Sequence, residues 1–575
     1  MAHFVLSVTA ATRLWGRETG IQSQSLIQSV GLRIVFEMWK GKGLIATQKI
    51  PQGTRILSEE PLIRVPESLL DSQTQIASIH QQFDSLSPDL QQAFLSLHNI
   101  HSNDTTSRYL GIFKTNGLPF GDAVEEGGIF LNACRINHAC DNNAQKSWNA
   151  NIERHTVHAM RDIEKGEDIT IYYLSVLNRR ELRQEALRRK FSFDCLCRLC
   201  SLPPDQSQES DRRLEEILKL DDLIGRDGLE GIRSAPLRRL RYVDQQIQLY
   251  NKQGPDDNGL PRAFIDAAQI CVANGDLARA RVFTKRAVLG WIILNGDDSS
   301  NLLKYKALSQ DPSKYYCYWL SMRWKTEADD IPQGLDSEEF EDWLWRREKP
   351  KRPGQLVDFR NRAIFPGFND LPGENEADPE FYASSDDGFT YLPRRHWLFL
   401  AEIVDFASMV RLQIELKDVD GKDVPLFFYT DGRGNELAAS KVQKGYTVAI
   451  LYAQRHAFMY SEPGIRHEDP TNIKIFPLSL NNLLALSDRI QKFSVEVDGK
   501  RSCHGCDRQA ASLKKCAKCS LFWYCNGTCQ TVGWHENGHK ADCKLLKDAD
   551  LKGLFSLNWD NFDGHLGFPL NTTTV

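Results

Sequence analysis

The chain has 575 residues, 41% of them hydrophobic and 26% charged, with a formal net charge of −5. At roughly 150 residues per domain, three or four soluble globular units are expected. The weakly acidic balance excludes a global attraction to nucleic acid or anionic membrane, and no apolar run approaches the roughly 18 residues of a membrane helix.

Residues 1–30 are poor in acids and carry Ser, Thr and two Arg. They read as an extension that packs on or trails from the first domain, with a mitochondrial presequence as the other reading. Residues 31–66 are β-rich, with Ile34, Phe36, Ile45, Ile56 and Ile63 set among turn signals at Gly41, Gly43, Pro51 and Gly53. Residues 70–110 have helical spacing. Strand-like runs return over 128–175, notably 167–174, and a helix over 176–189 leads into a cysteine cluster. Residues 206–325 read as helices. Within them, 267–271, a turn at Asn274 and Gly275, and 278–291 outline a hairpin whose Ala268, Ala278, Ala280 and Ala287 allow close approach. That hairpin is similar to a tetratricopeptide unit, and an ordinary antiparallel pair explains it equally well.

Residues 326–395 are rich in Pro, Gly and acids and read as a linker. Their basic runs, Arg346–Arg347 and 349–353, fit a solvated loop or a nuclear-import signal. Over 396–490 the period becomes two: Leu412, Ile414 and Leu416, then a turn at Asp420 and Gly421, then Val424, Leu426 and Phe428. Val448, Ile450 and Tyr452 form another strand and 473–476 a last one. This predicts a small antiparallel β unit of OB type. It lacks a stacking platform, so nucleic-acid binding is not inferred. Residues 544–575 read as a tail.

Of fourteen cysteines, eleven fall at 140–200 and 503–543, leaving Cys134, Cys271 and Cys317 outside. With no secretory signal evident, zinc explains such clusters better than disulfides. Cys195, Cys197 and Cys200 supply three thiolates where a closed site takes four, and Cys140 is the candidate fourth. The second cluster reads Cys503-x2-Cys506, Cys516-x2-Cys519, Cys525-x3-Cys529, His539-x3-Cys543. Eight ligands suffice for two tetrahedral ions.

The segment Arg135-Ile-Asn137-His138-Ala139-Cys140-Asp-Asn142-Asn143 is followed by Gly166-Glu-Asp-Ile-Thr-Ile-Tyr172-Tyr173 and Phe191-Ser-Phe193-Asp-Cys195. Upstream stand Lys40-Gly41-Lys42-Gly43 and Ser58-Glu59-Glu60-Pro61. In this order the elements resemble a SET domain with its post-SET zinc loop. The cluster at 503–543, with Tyr524, Gln530, Trp534 and Lys540, is similar to a MYND finger. Together they resemble the SET-and-MYND family of protein-lysine methyltransferases. The family pattern Asn-His-Ser-Cys-x-Pro-Asn is met at Asn137, His138, Cys140 and Asn143, with Ala139 for Ser and Asn142 for Pro.

The resemblance implies a multidomain α+β protein. Its parts are a SET fold over 31–175, a post-SET loop over 176–205, helices over 206–325, the β unit, and a finger over 500–543. It implies S-adenosylmethionine contacts from Lys42, Gly43, Asn116, Asn137, His138 and Phe193. Tyr173 is implied as the catalytic residue and, with Phe191, as a wall of the lysine channel. Zinc pairing follows the family: Cys140, Cys195, Cys197 and Cys200; Cys503, Cys506, Cys525 and Cys529; Cys516, Cys519, His539 and Cys543, about three ions in all. His535 is left as a surface histidine. Implied partners are a protein substrate and a protein bound by the finger or the helical region, without membrane, in nucleus or cytoplasm. A catalytically degenerate scaffold is the alternative. Because each zinc module closes its own shell, the chain is expected to stay folded and to bind cofactor without residues 500–575.

Overall fold

The computed structural model describes residues 32–37, 41–66, 72–101, 108–120, 126–174, 178–254, 259–347, 356–384, 390–496 and 499–570. The N-terminal extension and the basic run 349–353 lie outside these residues. The protein is a multidomain α+β chain in two units: Met1–Leu229 with Tyr242–Ile331, and Glu230–Arg241 with Pro332–Val575. The division falls inside one helix, Pro236–Gln253.

The first unit opens with ten strands: β1 Leu32–Glu37, β2 Gly41–Ala46, β3 Arg55–Glu59, β4 Ile63–Pro66, β5 Leu118–Pro119, β6 Glu126–Ile129, β7 Asn137–His138, β8 Ala144–Asn149, β9 Arg154–Ala159 and β10 Asp168–Ile171. They form three small sheets ordered β1-β2-β10-β7, β3-β9-β8 and β4-β6-β5. β10 is the hinge of the arrangement. It pairs antiparallel with β2 (Ile169 opposite Leu44) and parallel with β7 (Thr170 opposite Asn137, Ile171 opposite His138). Ile169 and Ile171 point into a core with Leu44, Ile136 and Val157, while Asp168 and Thr170 alternate to the other side.

The helical pair is Gly259–Ala273 and Leu277–Asn295. Its turn contains Gly275 at φ +81, a backbone conformation that favours glycine. Ala267, Ala268, Ala278, Ala280 and Ala287 are wholly buried, as close approach requires. Just beyond the second helix, Asp298 fastens this pair to the strands of the first unit. Its carboxylate accepts from Arg55 (2.5 Å) and Asn149 (2.8 Å), and its carbonyl accepts from Asn151 (2.6 Å).

The second unit contains a short hairpin, β11 Tyr382–Ser384 with β12 Tyr391–Pro393, and a larger sheet. The sheet strands are β13 Leu398–Ser408, β14 Leu412–Asp418, β15 Asp423–Phe428, β16 Thr447–Leu451, β17 Ile465–His467 and β18 Ile473–Phe476. Their order is β17-β15-β14-β13-β16-β18. All pairs are antiparallel except β15 with β17. The expected hairpin turn forms at Gly421 (φ +78), where the Asp418 carboxylate accepts from the Asp420 and Lys422 amides. The OB-type closure does not form: among the described residues the end strands β17 and β18 have no ladder to each other.

The sheet is covered instead, on both faces along β16 and the first half of β13. Phe399, Ile403, Ile414, Leu416, Val448 and Ile450 face one core. Leu398, Leu400, Ala449 and Leu451 face another, made with Leu483, Leu486 and Ile490 of helix Leu480–Ser494, finger residues Phe522 and Tyr524, and Leu554 and Trp559. A strand covered on both sides buries consecutive residues, which is why β16 is buried throughout.

Two expectations are thereby corrected. The linker ends near residue 356, because Val357, Phe359 and Phe365 enter one core and Phe368, Leu371 and Phe381 the other. The tail is a structural element: helix Ala549–Ser556 and a return segment in which Trp559 is fully buried and the Leu570 amide donates to Asp550 (2.7 Å). The finger and its sequel are part of the second unit's core. Among the described residues no helix is long and apolar enough to cross a membrane.

Candidate functional site

The parallel pair of β10 and β7 brings the central residues together. The Tyr173 amide donates to His138 Nδ1 (3.1 Å), and the Tyr173 hydroxyl donates to the Ile136 carbonyl (2.6 Å). Burial raises the tyrosine pKa well above its ordinary value, so the hydroxyl keeps its proton. Burial also lowers the His138 pKa to about 4, which leaves the ring neutral and Nδ1 free to accept.

Aromatic rings enclose this point. Tyr173 lies 5.1 Å from Phe191 and 6.5 Å from Phe193, the latter edge-on. His138 lies 5.2 Å from Tyr173, 5.3 Å from Tyr172 and 6.1 Å from Phe193. Phe191 ends the helix Arg180–Phe191, and Ser192 at φ +60 turns the chain so that Phe193 follows on the same cluster.

Across from these, β2 approaches β7 so closely that a Cβ on Gly43 would meet Asn137 Nδ2 at 2.4 Å. The Asn137 side-chain amide has no hydrogen-bond partner among the described residues and is half-buried. Lys42 pairs through its backbone with Phe36. Asn116 sits differently. Its side-chain nitrogen donates to the His98 and Ile112 carbonyls (both 2.7 Å), so only its carbonyl oxygen remains available.

Glu59 and Asn143 stand in the quoted motifs, but their supporting roles were not read from the sequence. The Glu59 carboxylate accepts from the Asn132 amide, the Asn132 side chain and the Ala133 amide, holding the turn Ala133–Arg135 that delivers Asn137. It stands in the quoted Ser-Glu-Glu-Pro stretch, but nothing local signals its distant partners. Asn143 holds the other end. Its oxygen accepts from Thr170 N (2.8 Å) and its nitrogen donates to Asp168 O (2.7 Å), stitching the segment after Cys140 to β10. At the departures from the family pattern, Ala139 donates its amide to Ile171 O (3.2 Å), and Asn142 spans its turn by donating to Ala144 O (3.0 Å). Both positions keep ordered backbone.

The sulfurs of Cys140, Cys195, Cys197 and Cys200 lie within 4.8 Å of one another, as the sequence led us to expect. This cluster packs with Tyr172, Tyr173, Phe191 and Phe193, so the ligand set and the aromatic enclosure are one structure.

In the finger, Cys503, Cys506, Cys525 and Cys529 form one group, and Cys516, Cys519, His539 and Cys543 the other. Asn526 caps helix Gly527–His535 through the Cys529 amide (2.9 Å). His504, between two ligands, is buried and stacks edge-on at 4.6 Å against both Phe493 and Phe522. Arg489 binds Asp542 through two hydrogen bonds (2.7 and 2.8 Å), tying helix Leu480–Ser494 to the finger. A groove of about 330 Å³ on the finger is lined by Lys518, Gln530, Thr531, Trp534 and His535, among others.

Comparison with known proteins agrees with this geometry. A SET domain matches residues 41–174 and a MYND finger residues 503–543. Histone-lysine N-methyltransferase set5 of Schizosaccharomyces pombe is 33% identical over 277 residues, covering 48% of this chain and 82% of that protein. Human histone-lysine N-methyltransferase SMYD3 is 26% identical over 170 residues, or 28% of this chain and 37% of SMYD3. The SET domain and MYND-type zinc finger protein 6 of S. pombe is 36% identical over 67 residues, 12% of this chain and 14% of its own.

Proposed function

The chain belongs to the SET-and-MYND family, and from that premise we propose that it is an S-adenosylmethionine-dependent protein-lysine N-methyltransferase. The observation that carries the reading is the enclosure of Tyr173 by His138, Phe191 and Phe193, with its hydroxyl fixed on the Ile136 carbonyl.

S-adenosylmethionine, when bound, supplies an activated methyl group. The residues suit it. Gly43 leaves room for the Asn137 side chain, and Asn137 has a polar amide with no partner among the described residues. His138 is neutral, and Phe193 offers a flat apolar wall. Lys42 contributes through its backbone, and Asn116 through its remaining oxygen. A lysine side chain must be neutral to accept the methyl group, against a free pKa of about 10.4. Aromatic walls that exclude water lower that value. The same walls hold an ammonium by cation–π attraction, and the immobilised Tyr173 hydroxyl confines the amine, removing entropy from the barrier.

The three ligand groups are sulfur-rich, closed and four-membered, which suits structural zinc, about three ions per chain. The four-sulfur group holds the Phe193 segment against Cys140. The finger groove, with Trp534 between Lys518 and polar neighbours, serves a protein partner. Histone tails and other nuclear or cytoplasmic proteins are the substrate class.

The test is methyl transfer from radiolabelled S-adenosylmethionine to histone and whole-protein substrates. Wild-type chain should label lysine. Tyr173→Phe should bind cofactor with near wild-type affinity and transfer the methyl group slowly. Equal turnover by Tyr173→Phe would remove its catalytic role, and absence of any transfer with cofactor bound would leave a scaffold.

A further inference from the structure

The helix Arg180–Phe191 carries an arginine that the site above does not use. Arg183 is 1% exposed. Its Nη1 donates to the Asn178 carbonyl, and its Nη2 lies 3.9 Å from Cys200 Sγ. Among the described residues its carboxylate partner is Asp211, at 3.8 Å, and that same oxygen already accepts the Arg180 amide. An arginine cannot shed its proton, so burial without opposing charge is costly. Four neutral thiols would provide none. Four thiolates on a divalent ion carry a net charge of two minus, directly beside the guanidinium. The next residue, Gln184, grips the main chain of the first loop ligand: its nitrogen donates to Cys195 O (2.7 Å) and its oxygen accepts from Cys195 N (2.9 Å).

We propose that Arg183 and Gln184 are positioning residues for the four-sulfur zinc site, Arg183 by balancing the tetrathiolate charge and Gln184 by fixing the loop backbone. The inference rests on the zinc assignment proposed above. It makes one helix responsible for both halves of the enclosure, because the helix that carries Arg183 and Gln184 ends in Phe191, against Tyr173. Outer partners of metal ligands commonly contribute 10–100-fold to affinity.

The experiment is zinc release from the full chain to a chromophoric chelator, with Cys140→Ser identifying which phase belongs to this site. Arg183→Met should release that ion about 10–100-fold faster and leave the finger phases unchanged. Arg183→Lys, which keeps the charge, should recover part of the loss. Cobalt(II) loaded in place of zinc should give an altered thiolate charge-transfer band in Arg183→Met. Gln184→Ala, which buries no new charge, should accelerate the same phase alone and serves if Arg183→Met does not fold. Wild-type release and cobalt spectra in Arg183→Met, or in Gln184→Ala where that variant stands in, would overturn the inference. Wild-type protein without an ion at this site would overturn the zinc assignment itself, and this inference with it.

Discussion

The four-sulfur site and the finger use the same ligand chemistry over very different lengths of chain. Cys140 and Cys200 are 60 positions apart, and between them lie β8, β9, β10 and a helix. The finger draws eight ligands from 503–543 alone. The first joins ligands from two distant segments of chain, and aromatic walls pack with it. The second closes locally, yet it is not a free-standing module. His504, Phe522 and Tyr524 insert into a core shared with the sheet of the second unit. Ligand spacing thus points to a metal site but does not tell whether the module around it stands alone.

The largest expected effect tests that statement. Deleting residues 500–575 strips Phe522, Leu551, Leu554, Phe555 and Trp559 from the sheet's underside, all at most 1% exposed. At about 1.5–3 kcal/mol for each such side chain, the loss rivals an ordinary domain's whole stability. Calorimetry should find the second unit's unfolding transition gone. Cofactor titration should still detect binding, since its candidate residues belong to the first unit. A surviving second transition would restore the finger's independence.

Cys140→Ser breaks the other side of the comparison. It removes the only ligand contributed from outside the 195–200 loop, so the Phe193 segment should come loose, with methyl transfer lost and cofactor affinity weakened. Elemental analysis should find one ion fewer, and the finger still loaded.

Asn137→Ala should weaken cofactor binding by about 1–3 kcal/mol, the usual effect of losing a buried polar partner. Titration calorimetry measures it, and unchanged affinity would remove Asn137 from the cofactor site.

Acidification should give a graded effect. Burial holds His155 and His158 near pKa 3, and Arg55 donates to His158 Nε2 (3.1 Å), which requires a neutral ring. Both folded values lie below the unfolded value of about 6.5, so the unfolded state binds more protons. Stability is complete above about pH 6.5. It falls as pH drops toward 3, by at most about 1.4 kcal/mol per ring and pH unit. Denaturant titrations at pH 7 and 5.5 should record the difference, and equal midpoints would contradict the burial of neutral imidazoles.

What was legible in the sequence had a period or a spacing. Leu412, Ile414 and Leu416 alternate and are buried at 7%, 0% and 0%; the cysteine pairs have zinc spacing; Asn137, His138 and Tyr173 stand in a recognisable order. What escaped has neither. Phe359, Phe365 and Phe381 are scattered through irregular backbone yet nearly inaccessible to solvent. Asp298 reaches Arg55 across 243 positions, and Glu59 reaches Asn132 across 73. The first half of β13 and all of β16, buried on both faces, lose the alternation that would mark a half-covered strand. The expected closure of the β unit rested on strand count alone, and the sheet is open among the described residues.

The division of the chain within helix Pro236–Gln253 has a consequence for synthesis. Glu230–Arg241 leaves the ribosome long before Pro332–Val575, with which it forms the second unit. Arg238 and Arg241 end up paired with Asp378 and Glu380, and Arg238 also donates to the Leu371 carbonyl (2.9 Å). Until those residues emerge, Asp378 and Glu380 are not yet there to pair with Arg238 and Arg241. The second unit therefore cannot be translated as one uninterrupted stretch. A gene fragment encoding only the later residues would lack the twelve that were made first, and a split version of the protein must carry them on the earlier half.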